Sequence, residues 1–181
     1  YAAWAGWGAY QRSQATQAAQ LYEELQKAVA AQDKEKVQRA ATDMEAKFAG
    51  TAYAQMSALA AAKSAFDAND FKTAKAQLQW VIDKGNSQEY KAVAKVRLAG
   101  ILLDEKAYDE GLKVLAGEFP AQFANVVSDR KGDILVAQNK LDEARAAYQL
   151  ALEKTDAKNP ARQLIQIKLD AIGGAPAKKA A

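Results

Sequence analysis

The side chains that could do acid–base chemistry in this chain form a narrow set. Histidine and cysteine are both absent, which leaves Asp, Glu, Lys, Tyr, Ser and Thr for proton transfer or nucleophilic attack. Adjacent carboxylates stand at Glu23-Glu24, Asp104-Glu105, Asp109-Glu110 and Asp142-Glu143. Two carboxyls facing one bond could run a hydrolase, one as acid and the other as base. Each pair, however, falls at the end of an expected helix or on its polar face. Asp and Glu there complement the helix dipole. No phosphate-cradling glycine loop, nucleophile elbow or metal-ligand cluster accompanies them. Without cysteine there is no disulfide framework and no thiolate metal site. The expectation is a protein that is not an enzyme and has no cofactor.

Charge narrows the partners. The 25 basic and 22 acidic side chains, net +3, are interleaved along the chain. Interleaving of this kind marks solvated helix faces, whereas nucleic-acid binding calls for a clustered basic stripe with stacking aromatics. No nucleic acid partner is expected.

The elements that carry these residues repeat. Gln32-Asp33-Lys34, Asn69-Asp70-Phe71, Lys106-Ala107-Tyr108 and Asn139-Lys140-Leu141 share one register, and the anchors Lys34, Phe71, Tyr108 and Leu141 are 37, 37 and 33 residues apart. Alanine, the strongest helix former, supplies about a quarter of the chain. Only three prolines occur, at 120, 160 and 176. A period of about 34 residues with this content denotes stacked helix–turn–helix units of the tetratricopeptide type. The fold expected is all-α, a right-handed α-solenoid of tetratricopeptide-like helical hairpins with a C-terminal capping helix.

A first helix to about residue 31 places Ala18, Leu21, Leu25, Ala28 and Val29 inward, and a second, from Lys34 to Phe48, places Val37, Ala40, Ala41, Met44 and Phe48 inward. Gly50 reads as a stop and Thr51 as the next cap. Hairpins follow at 51–68 with 71–84, 88–105 with 108–116, and 121–138 with 141–154. Gly132, Ala144, Tyr148 and Ala151 fill the small and aromatic positions of the last hairpin. Asn159-Pro160 opens a final helix whose Leu164, Ile165, Leu169 and Ile172 should close the stack.

In such a fold the first helix of each hairpin lines an inner groove. The register places Met56, Leu59, Phe66, Val93, Val96, Leu103, Val126 and Val136 there. One reading is a protein-binding surface for an apolar helix or a partly unfolded segment. The other is that the N-terminal helix folds back and fills the groove, or that the register is shifted.

The chain opens with ten uncharged residues in which Tyr1, Trp4, Trp7 and Tyr10 recur every third position, ahead of Gln11-Arg12-Ser13. Trp and Tyr concentrate where a membrane meets water. Ten residues cannot span a bilayer, which requires roughly 20. Residues 1–12 therefore read as the aqueous-side end of a membrane-anchor helix, or alternatively as aromatics packed onto the first repeat. Residues 13–172 form the repeat domain, and 173–181, rich in Gly, Ala and Lys, a flexible tail.

Several segments in order resemble the YfgM family of ancillary SecYEG translocon subunits. They are Gly6-Trp7 before Gln11-Arg12-Ser13, Ala18 to Val29, Ala74-Lys75-Ala76-Gln77-Leu78-Gln79, Lys91-Ala92-Val93 leading to Arg97-Leu98-Ala99, Gly132-Asp133 to Lys140, and Gln163-Leu164-Ile165-Gln166-Ile167-Lys168-Leu169. The resemblance implies a bacterial inner-membrane protein, single-pass, with this domain on the periplasmic side. It implies the SecYEG translocon, a membrane-anchored periplasmic chaperone of the PpiD type and nascent exported proteins as partners. The family brings no catalytic motif to transfer. The function expected is a membrane-anchored interaction module that docks the chaperone and aids transfer of exported proteins to the periplasmic chaperone network. A scaffold for outer-membrane protein assembly is the alternative.

Overall fold

The computed structural model describes residues 2–174, with Ala2 described by its backbone alone. Among the described residues every regular element is helical: α1 (Ala2–Ala30), α2 (Lys34–Phe48), α3 (Ala52–Asp67), α4 (Phe71–Lys84), α5 (Gln88–Asp104), α6 (Tyr108–Leu115), a 3-10 turn at Ala121–Phe123, α7 (Ala124–Ala137), α8 (Leu141–Glu153) and α9 (Ala161–Ala171). The fold class is all-α, with the hairpins set where the repeat register places them.

The shared register has a physical identity. Gln32, Asn69, Lys106 and Asn139 all adopt left-handed backbone, with φ of 55, 61, 62 and 59°. At each, the following amide donates to the carbonyl five residues back: Asp33 to Ala28, Asp70 to Ala65, Ala107 to Leu102 and Lys140 to Leu135, at 2.8–2.9 Å. The left-handed residue itself donates three residues back, so each turn is a Schellman closure that satisfies carbonyls left over at a helix end. Asp33 and Asp70 then cap the next helix, accepting from the Lys36 and Thr73 amides at 3.1 Å.

A fifth copy of this turn stands at Gly173, φ 97°, whose amide donates to Asp170 while Gly174 donates to Leu169 at 2.9 Å. Gly173 follows Asn139 by 34 residues. The glycines expected in a tail thus close α9, which is the first helix of a fifth repeat. Residues 175–181 of that expected tail lie outside the described residues.

The helices gather into two compact units, dividing after Ala94 within α5. In the first unit α1 packs on α2 and α3, α2 on α3, and α3 on α4. Its core holds Leu25, Ala28, Val37, Ala41 and Ala61 in one cluster, and Ala18, Met44, Phe48 and Ala54 in another. Val29, expected inward, is exposed. Thr51 holds the N-cap position of α3, as expected, but makes no side-chain cap bond; its Oγ1 donates back to the Phe48 carbonyl at 2.8 Å.

In the second unit α6 packs on α7, α7 on α8, and α8 on α9. Val96, Ala99, Leu115, Val127 and Ile134 form one cluster, and Tyr148, Ala151, Leu152, Ile165 and Leu169 another. Gly132 is the tightest approach. A β-carbon there would stand 2.5 Å from Tyr148 Cδ1 and 2.9 Å from Cζ, with Cε1 nearer still. Only hydrogen fits under that ring.

Candidate protein-interaction surfaces

Protein recognition by a helical repeat needs apolar side chains that remain accessible after the repeats have packed. Of the eight positions assigned to a groove, two meet that condition. In the first unit Phe66 is 40 % exposed, with its ring edge-on to Phe71 at 5.4 Å between centroids. In the second, Val126 is 37 % exposed beside buried Val127.

Two others are buried: Leu59 and Val96, each 8 % exposed. The reason for Leu59 is local. Helix α3 has neighbours α1, α2 and α4, and its Ala54, Ala58, Ala61, Ala62 and Ala65 let them approach closely. Close neighbours of this kind enclose Leu59 whatever place the repeat register gives it. Met56 and Val93 are half-buried. Leu103 packs against the Val96–Leu115–Ile134 cluster, and Val136 against Tyr148 and Leu152. Substitutions at Leu103 therefore perturb the core, so it does not report cleanly on binding.

The N-terminal aromatics behave differently. Trp4, Trp7 and Tyr10 are 75, 63 and 56 % exposed along the first turns of α1, with Trp7 and Tyr10 rings 6.0 Å apart. They form an outward stripe and are not packed onto the first repeat. Arg12 lies just after them, its Nε donating to the Gly8 carbonyl at 3.2 Å. Tyr1 lies outside the described residues. No helix among the described residues is long and apolar enough to cross a membrane.

The adjacent carboxylate pairs all lie exposed on helix ends or surfaces, with Asp109, Glu110, Asp142 and Glu143 in the first turns of α6 and α8. No group of His, Cys, Asp and Glu among the described residues is arranged to hold a metal.

The strongest electrostatic feature was not singled out by sequence and is internal. Lys168 of α9 lies 2.9 Å from both carboxylate oxygens of Asp129 and 2.9 Å from Asp133 Oδ1, and its Nζ stands 5.8 Å from the Tyr148 ring centre. Tyr148 donates its hydroxyl to Asp133 at 2.9 Å. Burial raises the Asp129 carboxyl against the pull of Lys168. Burial opposes charge on Lys168 as well, but its bonds to Asp133 and Asp129 outweigh this and raise it. Burial, then the Asp133 charge, raises the Tyr148 phenol. The cluster pins α9 to α7 and α8; it is a lock between helices. Gln55, fully buried, plays a comparable part in the first unit. Its Nε2 donates to Asn86 Oδ1 at 2.6 Å and its Oε1 accepts from the Ser87 amide at 3.0 Å, fastening the α4–α5 break to α3.

The family model described as tetratricopeptide repeat-like domain matches residues 1–174. The chain belongs to that family. This repeat-like domain is also similar to a protein named ancillary SecYEG translocon subunit from Neisseria gonorrhoeae (strain ATCC 700825 / FA 1090), 37% identical over 119 residues, 66% of this chain and 57% of the relative. It is similar to a protein of the same name from Escherichia coli (strain K12), 27% identical over 167 residues, 92% of this chain and 80% of the relative. The chain thus matches a little over half the length of the Neisseria relative. The expected likeness to ancillary translocon subunits is met.

Proposed function

We propose that this domain is a non-catalytic interaction module that works beside a Sec translocon. The observation that carries the proposal is likeness to two ancillary SecYEG translocon subunits, in one case along 92% of this chain. On this reading the domain stands on the periplasmic face of a bacterial inner membrane, docks a membrane-anchored chaperone of the PpiD type, and hands emerging exported chains toward other periplasmic chaperones. Trp4, Trp7 and Tyr10 suit the anchored end, because indole and phenol rings rest at the headgroup boundary with the apolar body inward and the polar tip in water. Tyr1, outside the described residues, belongs to the same membrane-interface proposal by sequence.

For docking, Phe66 and Val126 are the accessible members of the groove set, each on its own unit. Met56, Val93, Leu103 and Val136 would add contact area only at their rims, and Leu59 and Val96 support the helices from within. The test is site-specific photocrosslinking from Phe66 and Val126 in the full-length protein in native membranes, with mass spectrometry of the adducts. Chaperone, SecY-channel or nascent-chain adducts are expected. Crosslinks confined to the protein's own helices would overturn the docking assignment.

A further inference from the structure

We propose that the exposed face of α9 pairs with α9 of a second copy of this chain, antiparallel about a two-fold axis. The proposal stands on the final repeat and is independent of the translocon reading.

Counting back from each left-handed turn residue aligns the first helices of the repeats. At nine and six residues before the turn, α1 carries Glu23 and Gln26, α3 Ala60 and Lys63, α5 Arg97 and Gly100, and α7 Arg130 and Asp133. In α9 the same two places hold Leu164 and Ile167. In the second unit the six-back position reaches toward the next first helix. A β-carbon on Gly100 would lie 3.5 Å from the Arg130 Cζ, and Asp133 bonds Lys168. Ile167 is the member of that series with no following first helix among the described residues.

The exposure is large. Leu164 and Ile167 are 56 and 57 % exposed, although Leu164 was expected to face inward with Ile165 and Leu169. The opposite choice is made elsewhere on the same helix. Gln166 and Asp170 fall where earlier first helices meet their own second helix, and here they bond each other at 2.9 Å, a polar finish. One side of α9 is closed in polar fashion and the adjoining side is left apolar. A terminal repeat ordinarily has a polar outer face.

Charge selects the occupant. Between Pro160 and Ala171 the one exposed charged residue is Asp170. Arg162 is turned onto the Leu152 and Thr155 carbonyls, and Lys168 onto two aspartates. A face so poor in charge meets its own copy without like-charge repulsion, and it lacks the charges by which an acidic or basic partner would be selected. An apolar pair three residues apart is self-complementary in an antiparallel pairing: Leu164 meets Ile167 of the second copy and Ile167 meets its Leu164, as an isologous contact requires.

Sedimentation velocity of the 181-residue chain over a wide concentration range tests the pairing. The wild type should pass from monomer to dimer as concentration rises. The Leu164→Glu/Ile167→Glu variant should stay monomeric with unchanged helix content, and Trp4→Ser/Trp7→Ser should dimerise like the wild type. The chain has no cysteine, so Leu164→Cys/Ile167→Cys should yield a disulfide-linked dimer on mild oxidation; this readout decides the matter if the glutamate variant misfolds. A dissociation constant weaker than about 1 mM overturns the proposal, as does a dimer that survives the glutamates. So does one abolished by the serine changes, which assigns association to the aromatic stripe. A monomeric wild type whose capture of a PpiD-type chaperone is lost in the glutamate variant also overturns it, and gives the face to that protein.

Discussion

Replacing Gly132 with alanine tests the helix contact on which the last hairpin is built. Helix propensity alone predicts a gain of about 1 kcal/mol, because glycine is that much poorer than alanine in a helix interior. The structure predicts the opposite sign. The new methyl would press into the Tyr148 ring, with three ring atoms within 2.9 Å, and the ring has no room to retreat. Tyr148 is 3 % exposed, and its hydroxyl is held by Asp133, which Lys168 holds in turn. Overpacking of this kind costs about 1–3 kcal/mol. If the ring moves enough to lose its charge-assisted hydrogen bond, a further ~1.5–3 kcal/mol is at stake. Set against the propensity gain, the net expectation is a loss of about 1.5–5 kcal/mol where that bond is lost and about 0–2 kcal/mol where it is kept. For a chain of this size the larger loss is a fall in Tm of roughly 3–20 °C. Thermal unfolding followed by far-UV circular dichroism measures it. A double-mutant cycle with Tyr148→Leu isolates the clash: once the ring is gone, Gly132→Ala should be neutral or stabilising. A Gly132→Ala protein melting at or above wild type, or one whose loss is undiminished beside Tyr148→Leu, would refute the reasoning.

Four further expectations concern turns and buried charge. Lys106→Gly should stabilise by about 1 kcal/mol, since a side chain at φ 62° carries a left-handed penalty; an unchanged urea midpoint would count against it. Ala107→Asp should add about 0.5–2 kcal/mol by supplying the cap that Asp33 and Asp70 supply, and amide exchange in α6 should slow. Glu45 is half-buried, its Oε1 unpartnered, and burial raises its carboxyl in spite of a hydrogen bond from Gln77. A folded value above the unfolded one means the fold binds the proton more tightly. That contribution is full below the ordinary glutamate range and is lost as pH rises through the folded value. Glu45→Gln should therefore flatten stability against pH there and raise Tm at neutral pH; a profile parallel to wild type would defeat this. Finally, Lys168→Met should cost about 2–4 kcal/mol, at or below the usual loss for a broken buried pair because its side chain keeps 25 % exposure. Hydrogen exchange should show α9 opening first, and unchanged protection there would exclude the lock.

How much of this was legible beforehand follows from how local each determinant is. Turns are local. The spacing of Lys34, Phe71, Tyr108 and Leu141 located hairpins correctly because each anchor directly follows a Schellman turn and opens the next helix. Small positions facing large ones are nearly as legible, since Gly132 and Tyr148 belong to one hairpin. Gly173 was equally legible by spacing, 34 residues after Asn139, but its Gly-Ala-Lys surroundings read as a tail. The Lys168–Asp129–Asp133–Tyr148 cluster draws on three helices up to 39 residues apart, and no single-helix pattern announces it. Gln55 likewise looks like any surface glutamine until its partners in the α4–α5 break are known.

The groove positions show where periodicity loses its grip on accessibility. Repeat register reports the direction of a side chain from its helix axis, whereas exposure depends on how closely the neighbours come. Alanine sets that distance in α3, so Leu59 is enclosed while Phe66, one residue before the helix end, still reaches solvent. In α9 the same logic runs in reverse: Leu164 points in a direction that periodicity takes for inward, but no following helix among the described residues meets it. Among the described residues, apolar surface therefore survives where no neighbouring helix meets it or a helix ends. Trp4, Trp7 and Tyr10 stand beyond the reach of α2, Phe66 near the α3 terminus, and Leu164 and Ile167 on the last helix. A partner that relies on burial for affinity has to engage the domain at such places. Phe66→Lys or Val126→Lys should accordingly weaken capture far more than Glu23→Lys at a solvated position, with the fold intact in each case.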